Sequence, residues 1–384
     1  MKVAYLLGSL NRGGTETLLL DVFRSAQSAS FGIIGVHRHD GAYRDDFYQA
    51  GPPVYRLFPR HFGLLCYLLR LRNLLLREKV SVVHAQQAVD CLYAVLATAG
   101  TDIRVVETFH GFDFGAGKPA RWLNRLSIRM ADAVCFVSRA QRDYFIRRYA
   151  LQKQSSKLHV VYNGVDFSKL DGENAEPDFL SANGPATAGI PVSHTAEVQM
   201  RRIRLAMVGN FVRGRAQSSI CRSIKLLRDR GCTGFDFYFV GKRDEAEPWR
   251  YDDCVRYCRE NGLENVHFLG GRGDVPAVLQ HIDGFVYATD HDTFGIAVVE
   301  AMAAGIPVVV NDWQVMTEIT HDGQWAALYR TGDDADCARA VSELLEHLAD
   351  RKRKAAAIAP QVRAAYSIER HISRLAEIYD KIIH

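Results

Sequence analysis

Short apolar runs alternate with longer helical patterns along the first half of the chain. Apolar runs of this kind predict buried parallel strands, and apolar positions at helical spacing predict helices between them. The alternation predicts a doubly wound α/β sheet. The predicted strands are Val3–Leu7, Gly32–Val36, Val80–His84, Val105–Thr108, Ala133–Val137 and Leu158–Val161, and the predicted helices are Thr15–Ser25, Leu64–Lys79 and Pro119–Met130.

The alternation stops at a polar stretch and then starts again, which predicts a second α/β unit. Residues 168–202 have few apolar periodic positions and predict a linker or mobile insertion. We therefore expect an N-terminal domain at 1–167, a second domain at 203–363, and a final helix in 364–384 capped by Ser367. The second set of predicted strands is Ile203–Val208, Asp236–Val240, Val266–Leu269, Gly284–Ala288 and Pro307–Val310.

Composition narrows the class of protein. The 384 residues are enough for two cores, and 48% hydrophobic with 24% charged residues is typical of a soluble globular chain. No apolar run reaches the roughly 18 residues of a spanning helix, and Met1–Leu7 lacks the features of a secretory leader. Eight scattered cysteines without pairing logic predict free thiols in a reducing compartment, so we expect a cytoplasmic protein.

Charge is distributed unevenly between the two halves. Residues 1–167 contain 22 Lys and Arg against 13 Asp and Glu, a net charge of +9, whereas the whole chain has only +4. An excess of positive charge favours an anionic partner for the first half, such as membrane lipid or a phosphorylated acceptor. No nucleic-acid-binding motif accompanies the charge, so we expect no nucleic-acid partner.

The most informative segment follows the predicted strand Gly284–Ala288. A polar loop containing Asp292, Phe294 and Gly295 leads into an apolar helix that carries a single acid, Glu300. A carboxylate in apolar surroundings needs a partner, and a ribose diol can donate to it from two hydroxyls. The helix start near Gly295 offers free N–H groups to a diphosphate. Alternatively, Glu300 reaches solvent or pairs with an arginine.

This segment resembles the E-x7-E motif of the retaining GT-B glycosyltransferases of family GT4, written here as Asp292-x7-Glu300. The resemblance implies two Rossmann-like doubly wound domains facing a central cleft. It also implies that Glu300 binds the nucleotide ribose and that Asp292, one methylene shorter than the usual Glu, approaches the donor sugar. Phe294 and Gly295 belong to the same implied donor site.

Further segments match the family in the same order. Gly13, Gly14 and Thr15 follow the first strand, like the family's N-terminal Gly-Gly loop. The resemblance implies that Gly14 binds the donor and that Gly13 and Thr15 contact the acceptor, although a plain strand-to-helix turn explains the glycines equally well. His110 lies in a His-Gly segment, which implies a place near the donor sugar and leaving phosphate; a structural role is the alternative.

The second domain opens on a basic loop. The family usually has V-G-R-x-x-x-x-K-G here, and its Arg and Lys clamp the diphosphate. In this chain Asn210 stands at the Arg position and Arg215 at the Lys position, so Arg213 is a substitute candidate for the missing charge. A solvated basic loop is the alternative. Glu318 matches the acid of the family's G-G-x-x-E loop, but the glycines are absent.

The function implied by the resemblance is transfer of a sugar, with retention, from a UDP- or GDP-type nucleotide-sugar to a glycan or lipid-linked acceptor, as in cell-surface polysaccharide synthesis. No residue is an obvious covalent nucleophile, so His110, Arg215 and Asp292 would act by positioning and charge stabilisation. We expect no cofactor and no metal. Three alternatives remain: a metal-dependent transferase that uses Asp290-His291-Asp292, a nucleotide-sugar epimerase of GT-B shape, and a non-catalytic binding protein.

One surface hypothesis concerns localisation. The stretch Arg60–Lys79 combines many leucines with Arg70, Arg77 and Lys79, and a nearby predicted helix carries further basic residues and an aromatic residue suited to an interface. Such a pattern fits peripheral docking on the anionic cytoplasmic face of a membrane. Leucines packed in the core beside solvated arginines are an equally good explanation. The second helix contributes Lys118, Arg121, Trp122, Arg125 and Arg129.

Overall fold

The computed structural model describes residues 1–58, 63–172, 177 and 202–384. The chain forms two compact units, one of Met1–Asp166 with Tyr366–His384 and one of Phe167–Ala365. Most of the predicted linker therefore lies outside the described residues. Its first residues, Ser168–Asp171, form a short helix that belongs to the second unit.

The first unit contains a seven-stranded parallel sheet with strand order β3-β2-β1-β4-β5-β6-β7. Helices cover both faces of the sheet. The strands are β1 Lys2–Ser9, β2 Gly32–His39, β3 Val54–Arg56, β4 Val82–Ala85, β5 Arg104–Phe109, β6 Ala133–Phe136 and β7 Leu158–Val160. The helices that connect them are α1 Gly14–Arg24, α2 Arg44–Gln49, α3 Gly63–Arg77, α4 Ala88–Thr98, α5 Lys118–Met130 and α6 Arg139–Tyr149.

The residues of β1 explain why this sheet is buried on both faces. Val3, Tyr5 and Leu7 enter one apolar cluster, and the alternate residues Ala4 and Leu6 enter the other. Side chains of a strand point alternately to the two faces, so a continuous apolar run supplies both cores at once. The central position of β1 follows from this double burial.

The second unit contains a six-stranded parallel sheet with strand order β10-β9-β8-β11-β12-β13. Its strands are β8 Ile203–Val208, β9 Phe235–Val240, β10 Val266–Phe268, β11 Gly284–Tyr287, β12 Val308–Asn311 and β13 Ala327–Tyr329. Its helices are α7 Ser168–Asp171, α8 Gln217–Asp229, α9 Trp249–Glu260, α10 Val275–Gln280, α11 Ile296–Ala303, α12 Gln314–Ile319, α13 Asp334–Glu346 and α14 Leu348–Tyr366. The predicted fold class, two doubly wound α/β sheets, is confirmed.

The structure adds two strands that the apolar pattern did not predict. Strands β3 and β13 have three residues each and lie at the edges of their sheets. An edge strand pairs on one side only and need not be apolar throughout, so Val54–Arg56 has no residue with a buried side chain. The apolar-run criterion therefore missed it.

The last helix, α15 Ile368–Ile383, belongs to the first unit. The Ser367 side chain caps it by accepting a hydrogen bond from the N–H of Arg370 at 3.1 Å. The Tyr379 hydroxyl, fully buried, hydrogen-bonds to Nδ1 of His84 at 2.6 Å and to the Tyr5 hydroxyl at 3.1 Å. Buried hydroxyls with partners anchor α15 to the sheet at β1 and β4.

A buried acid in β5 gives the first unit a pH-dependent stability. Glu107 is fully buried, and its Oε1 accepts a hydrogen bond from the Ser127 hydroxyl at 3.1 Å. Burial disfavours the charged carboxylate and raises the pKa of Glu107 to about 8 from an ordinary value of 4.5. The folded protein therefore keeps this proton between pH 4.5 and 8, where the unfolded chain releases it, and stability falls as the pH rises through that window.

We predict that Glu107→Gln, which replaces the protonated acid by a neutral side chain of similar shape, removes this fall in stability with rising pH. The variant and the wild type should have similar free energies of unfolding at pH 5, and the variant should be the more stable of the two at pH 8.5. Urea unfolding at both pH values measures the difference. Glu260→Gln, an exposed acid on α9, is the matched control. If the free energies of unfolding of Glu107→Gln and wild type differ by the same amount at both pH values, the prediction is contradicted.

Candidate active site

In the second unit, two side chains meet one carboxylate oxygen in the loop after β11. Oδ2 of Asp292 accepts hydrogen bonds from Nη1 of Arg215 at 2.6 Å and from the Tyr287 hydroxyl at 2.7 Å. The Arg215 guanidinium also lies 5.4 Å from the centre of the Tyr287 ring. Two of the three residues for which the resemblance implies catalytic roles, Arg215 and Asp292, are therefore ion-paired to each other.

The groups around Arg215 stabilise its positive charge. Burial opposes the charge, but the neighbouring Tyr287 and Asp292 outweigh it and raise the pKa of Arg215. Burial also raises the pKa of Tyr287 well above its ordinary value, so its hydroxyl stays protonated and able to donate. The cluster is thus a permanent cation held by a carboxylate and a neutral phenol.

The loop after β8 brings Arg215 to this position. Arg215 forms an antiparallel β-bridge with Thr289, and the N–H of Asp290 donates to the carbonyl of Gly214 at 3.2 Å. Gly214 has a φ of +89°, and a Cβ there would lie 2.2 Å from Cβ of His291. Only glycine fits that close approach, so the two loops lie against each other.

The other basic-loop candidates have different surroundings. Oδ1 of Asn210 accepts a hydrogen bond from the N–H of Lys242 at 3.0 Å, which ties the loop after β8 to the end of β9. Arg213 is exposed, as is Lys242. Lys242 is a cation at this edge that the sequence motifs did not reveal, because it follows a strand without a recognisable pattern.

Helix α11 begins directly after Gly295, as predicted. Gly295 has a φ of +83°, and a Cβ there would lie 2.7 Å from Cε of Met316, which favours glycine at the helix start. Phe294 is buried, whereas Glu300 is half-buried on a helix whose other central residues are buried. Glu318 is half-buried on α12.

Parallel pairing brings these residues to one edge of the sheet. Strands β9, β8, β11 and β12 are neighbours in that order, and each of the loops described follows the carboxyl end of one of them. Open α/β sheets bind ligands at this edge. A cation, a helix N-terminus and acidic side chains together suit a phosphorylated, hydroxyl-rich ligand.

In the first unit, a cavity of about 300 Å³ lies at the carboxyl ends of β1, β4 and β5. Thr15, beside Gly13 and Gly14 at the start of α1, contributes to its lining. Nε2 of His110 lies 2.7 Å from Oε1 of Gln86. An amide oxygen only accepts, so Nε2 carries the hydrogen in this arrangement.

The surroundings of His110 keep its ring neutral. Burial, with a smaller contribution from His371, lowers the pKa of His110 to about 3. The segment that carries His110 is fixed by Asp113, whose carboxylate accepts hydrogen bonds from the hydroxyls of Tyr144, at 2.5 Å, and Tyr149. Gln86 and Asp113 are site residues that the sequence analysis did not single out.

The metal alternative rested on Asp290-His291-Asp292. Within residues 1–58, 63–172 and 202–384, no group of three or more His, Cys, Asp or Glu side chains is placed to hold a metal ion. The Asp292 carboxylate is engaged by Arg215 and Tyr287 instead. All eight cysteines are free, as the sequence predicts.

Two models of known families match the chain and together cover most of it. Residues 12–169 match Glycosyltransferase Family 4, and residues 202–347 match Glycosyl transferases group 1. The chain belongs to the GT4-like glycosyltransferases of the GT-B fold. The recognition drawn from the D-x7-E segment is therefore confirmed.

Individual relatives are distant but extend over most of the chain. EpsF of Bacillus subtilis, a putative glycosyltransferase, is 22% identical and the match covers 81% of this chain and 79% of EpsF. The N,N'-diacetylbacillosaminyl-diphospho-undecaprenol α-1,3-N-acetylgalactosaminyltransferase of Campylobacter jejuni is 25% identical over 82% of this chain and 79% of its own length. The crystal structure of Anabaena HepE with UDP and glucose has a TM-score of 0.82 at 18% identity, covering 99% of this chain and all of HepE.

The helix surface considered for membrane docking proves to be divided. On α3, Tyr67, Leu71, Leu74 and Leu75 are buried, whereas four leucines are exposed, and Arg60–Phe62 lie outside the described residues. The exposed leucines are Leu64, Leu65, Leu69 and Leu76. Among the helices that the structure describes, none is long and apolar enough to cross a membrane.

We predict that the His110 ring of this glycosyltransferase stays neutral down to about pH 5, because its pKa is held near 3 rather than at the ordinary value of about 6.5. NMR of protein with labelled histidine, with the His110 resonance assigned from His110→Gln, measures the titration. Below pH 6.5 His110 binds a proton in the unfolded chain but not in the folded protein. This residue therefore lowers the stability of the folded protein as the pH falls below 6.5. A His110 midpoint near pH 6.5 would refute the prediction.

Proposed function

We propose that this glycosyltransferase transfers a sugar from a UDP-sugar to a glycan or lipid-linked acceptor, with retention of anomeric configuration. The observation that carries the proposal is that Arg215 and the start of α11, the helix that carries Glu300, lie at the same edge of the second sheet. UDP is the preferred nucleotide because the structural neighbour HepE binds it. GDP is the comparison ligand.

The donor contacts follow from the chemistry of each group. Glu300 accepts hydrogen bonds from the ribose hydroxyls, and the N–H groups at the start of α11 face the diphosphate. Arg215 neutralises the charge that grows on the leaving diphosphate, and the exposed Arg213 and Lys242 add positive potential. Because arginine can supply this charge, we propose a reaction that needs no metal ion.

Acceptor binding is assigned to the first unit. Its cavity offers His110, Gln86 and Thr15 as neutral hydrogen-bonding groups, which suit a hydroxyl-rich acceptor. The Campylobacter relative acts on a lipid-linked sugar, which supports an acceptor of that class. A neutral His110 cannot act as an acid at pH 7, so we assign it a positioning role, and the leaving diphosphate helps to deprotonate the acceptor.

We predict that Glu300→Ala weakens UDP binding by about 1.5–3 kcal/mol, the value of a hydrogen bond to a charged group. Isothermal titration calorimetry with UDP measures the loss, and a uridine titration separates ribose contact from phosphate contact. Glu260→Ala, on the exposed face of α9, is the control. A folded Glu300→Ala protein with wild-type UDP affinity would overturn the assigned ribose contact.

We also propose that the enzyme works as a peripheral protein on the anionic cytoplasmic face of a membrane. Helix α3 exposes leucines beside Arg70, and helix α5 exposes Trp122 with Arg125 and Arg129. Apolar side chains with basic neighbours suit an anionic lipid surface. Arg72 is excluded from the docking set because its Nη1 donates to the carbonyls of Ala97 and Ala99 and so holds α4.

We predict that the protein sediments with anionic but not with neutral liposomes, and that binding weakens with salt. Arg70→Glu with Arg125→Glu should release it, because each basic residue at such a surface contributes about 1 kcal/mol. Arg230→Glu, an exposed substitution in the second unit, is the control. Protein that stays in the supernatant with anionic liposomes at low salt would favour a soluble acceptor instead.

A further inference from the structure

The carboxylate of Asp292 is almost fully occupied within its own domain. Oδ2 accepts from Arg215 and Tyr287, and Oδ1 accepts from the N–H of Thr293 at 3.1 Å. Only 11% of the side chain is exposed. A carboxylate has about four acceptor sites, so little capacity remains for a donor sugar.

Arg215, by contrast, keeps capacity for a ligand. Its side chain is 24% exposed, one Nη contacts Asp292, and its Nε is buried with no hydrogen-bond partner among the described residues. Nε lies against the backbone of Gly209, where an added Cβ would be in ordinary van der Waals contact with it at 3.4 Å. A buried donor without a partner is costly, and a phosphate oxygen would satisfy it.

In the chain of contacts from Tyr287 through Asp292 to Arg215, Tyr287 is the fixed end and the guanidinium of Arg215 is the end that can meet a ligand. Tyr287 is fully buried in β11 and cannot move without disturbing the sheet, and its hydroxyl fixes Oδ2 of Asp292. Asp292 in turn fixes Nη1 of Arg215, which leaves the other nitrogens of the guanidinium for a ligand. Each link is a short hydrogen bond to a charged group, which restricts geometry more than a neutral one does.

We propose that Asp292, fixed by Tyr287, is the positioning residue of Arg215, and that it acts on the nucleotide diphosphate through this arginine rather than by contacting the donor sugar. The proposal rests on the proposed function, because it requires a diphosphate at this edge. It assigns to Asp292 a role other than the sugar contact that the family resemblance implies.

The chain offers a substitution that separates the two roles without changing charge. Asp292→Glu restores the acid usual in the family, so an acid that touches the sugar should tolerate it. An acid that positions Arg215 should not tolerate it, because one added methylene displaces the guanidinium, whose Nη1 lies 2.6 Å from Oδ2 of Asp292. Since the charge is conserved, long-range electrostatic effects on the diphosphate cancel in this comparison.

The test is a double-mutant cycle on UDP affinity, measured by calorimetry with UDP, which carries no sugar. We expect Asp292→Glu to weaken UDP binding by about five- to tenfold in the wild-type background. We expect less than about a twofold effect in the Arg215→Ala background, where no guanidinium remains to be positioned. UDP-glucose should show the same pattern as UDP.

A second variant tests the role of Tyr287 and leaves Asp292 unchanged. Tyr287→Phe removes the hydroxyl that holds Asp292 and should also weaken UDP binding, again only when Arg215 is present. Tyr329→Phe is the matched control, since its buried hydroxyl donates to the backbone carbonyl of Tyr287 at 3.1 Å and not to Asp292. Thermal melting of each variant separates lost positioning from lost folding.

The outcomes separate this proposal from the proposed function. Wild-type protein that binds neither UDP nor GDP would overturn both. If Arg215→Ala leaves UDP affinity unchanged, the assigned role of the arginine fails, and the positioning role fails with it. If Arg215→Ala weakens UDP binding but Asp292→Glu has an equal effect in both backgrounds, or affects UDP-glucose alone, the proposed function stands and the positioning role is wrong.

Discussion

Parallel pairing of β8 with β11, and of β11 with β12, is the constraint on which the candidate site depends. All strands of a parallel sheet end at the same edge, so loops from distant parts of the sequence converge there. The register pairs Phe285 with Ala206 on one side and with Val308 on the other. Beyond the strands, an antiparallel bridge between Arg215 and Thr289 joins the two loops and brings the guanidinium to the carboxylate. A slip of one residue would turn Tyr287 to the other face and remove the support of Asp292.

The sequence is sufficient to predict the central strands and insufficient for the edges. A strand such as β1 is apolar at every central position because both of its faces are buried, and the same is true of β11. Strand β3 carries Val54, Tyr55 and Arg56, none of them buried, because it pairs on one side only. Its existence depends on the free edge of β2, which no local pattern records.

In the candidate site too, some residues could be predicted from the sequence and others could not. Gly295 and Glu300 could be recognised because a helix start and an isolated acid within an apolar run are local signals. The pairing of Arg215 with Asp292 could not, because it depends on two loops meeting at one sheet edge. Tyr287 and Gln86 were missed for a related reason: one is a residue of a buried strand and the other lies next to one, and only the fold shows which polar group each meets.

The pairing also bears on how a diphosphate can be held. The family usually places an Arg and a Lys at this edge, and here Asn210 uses its amide to hold the loop at Lys242 instead. Asp292 offsets part of the remaining charge on Arg215. Two unit charges 4 Å apart interact by about 4 kcal/mol at an effective dielectric constant of 20, so this offset is large. The start of α11 supplies about half a positive charge. Catalysis by the proposed route therefore depends less on the number of cations at this edge than on the placement of one guanidinium, which is what Tyr287 and Asp292 determine.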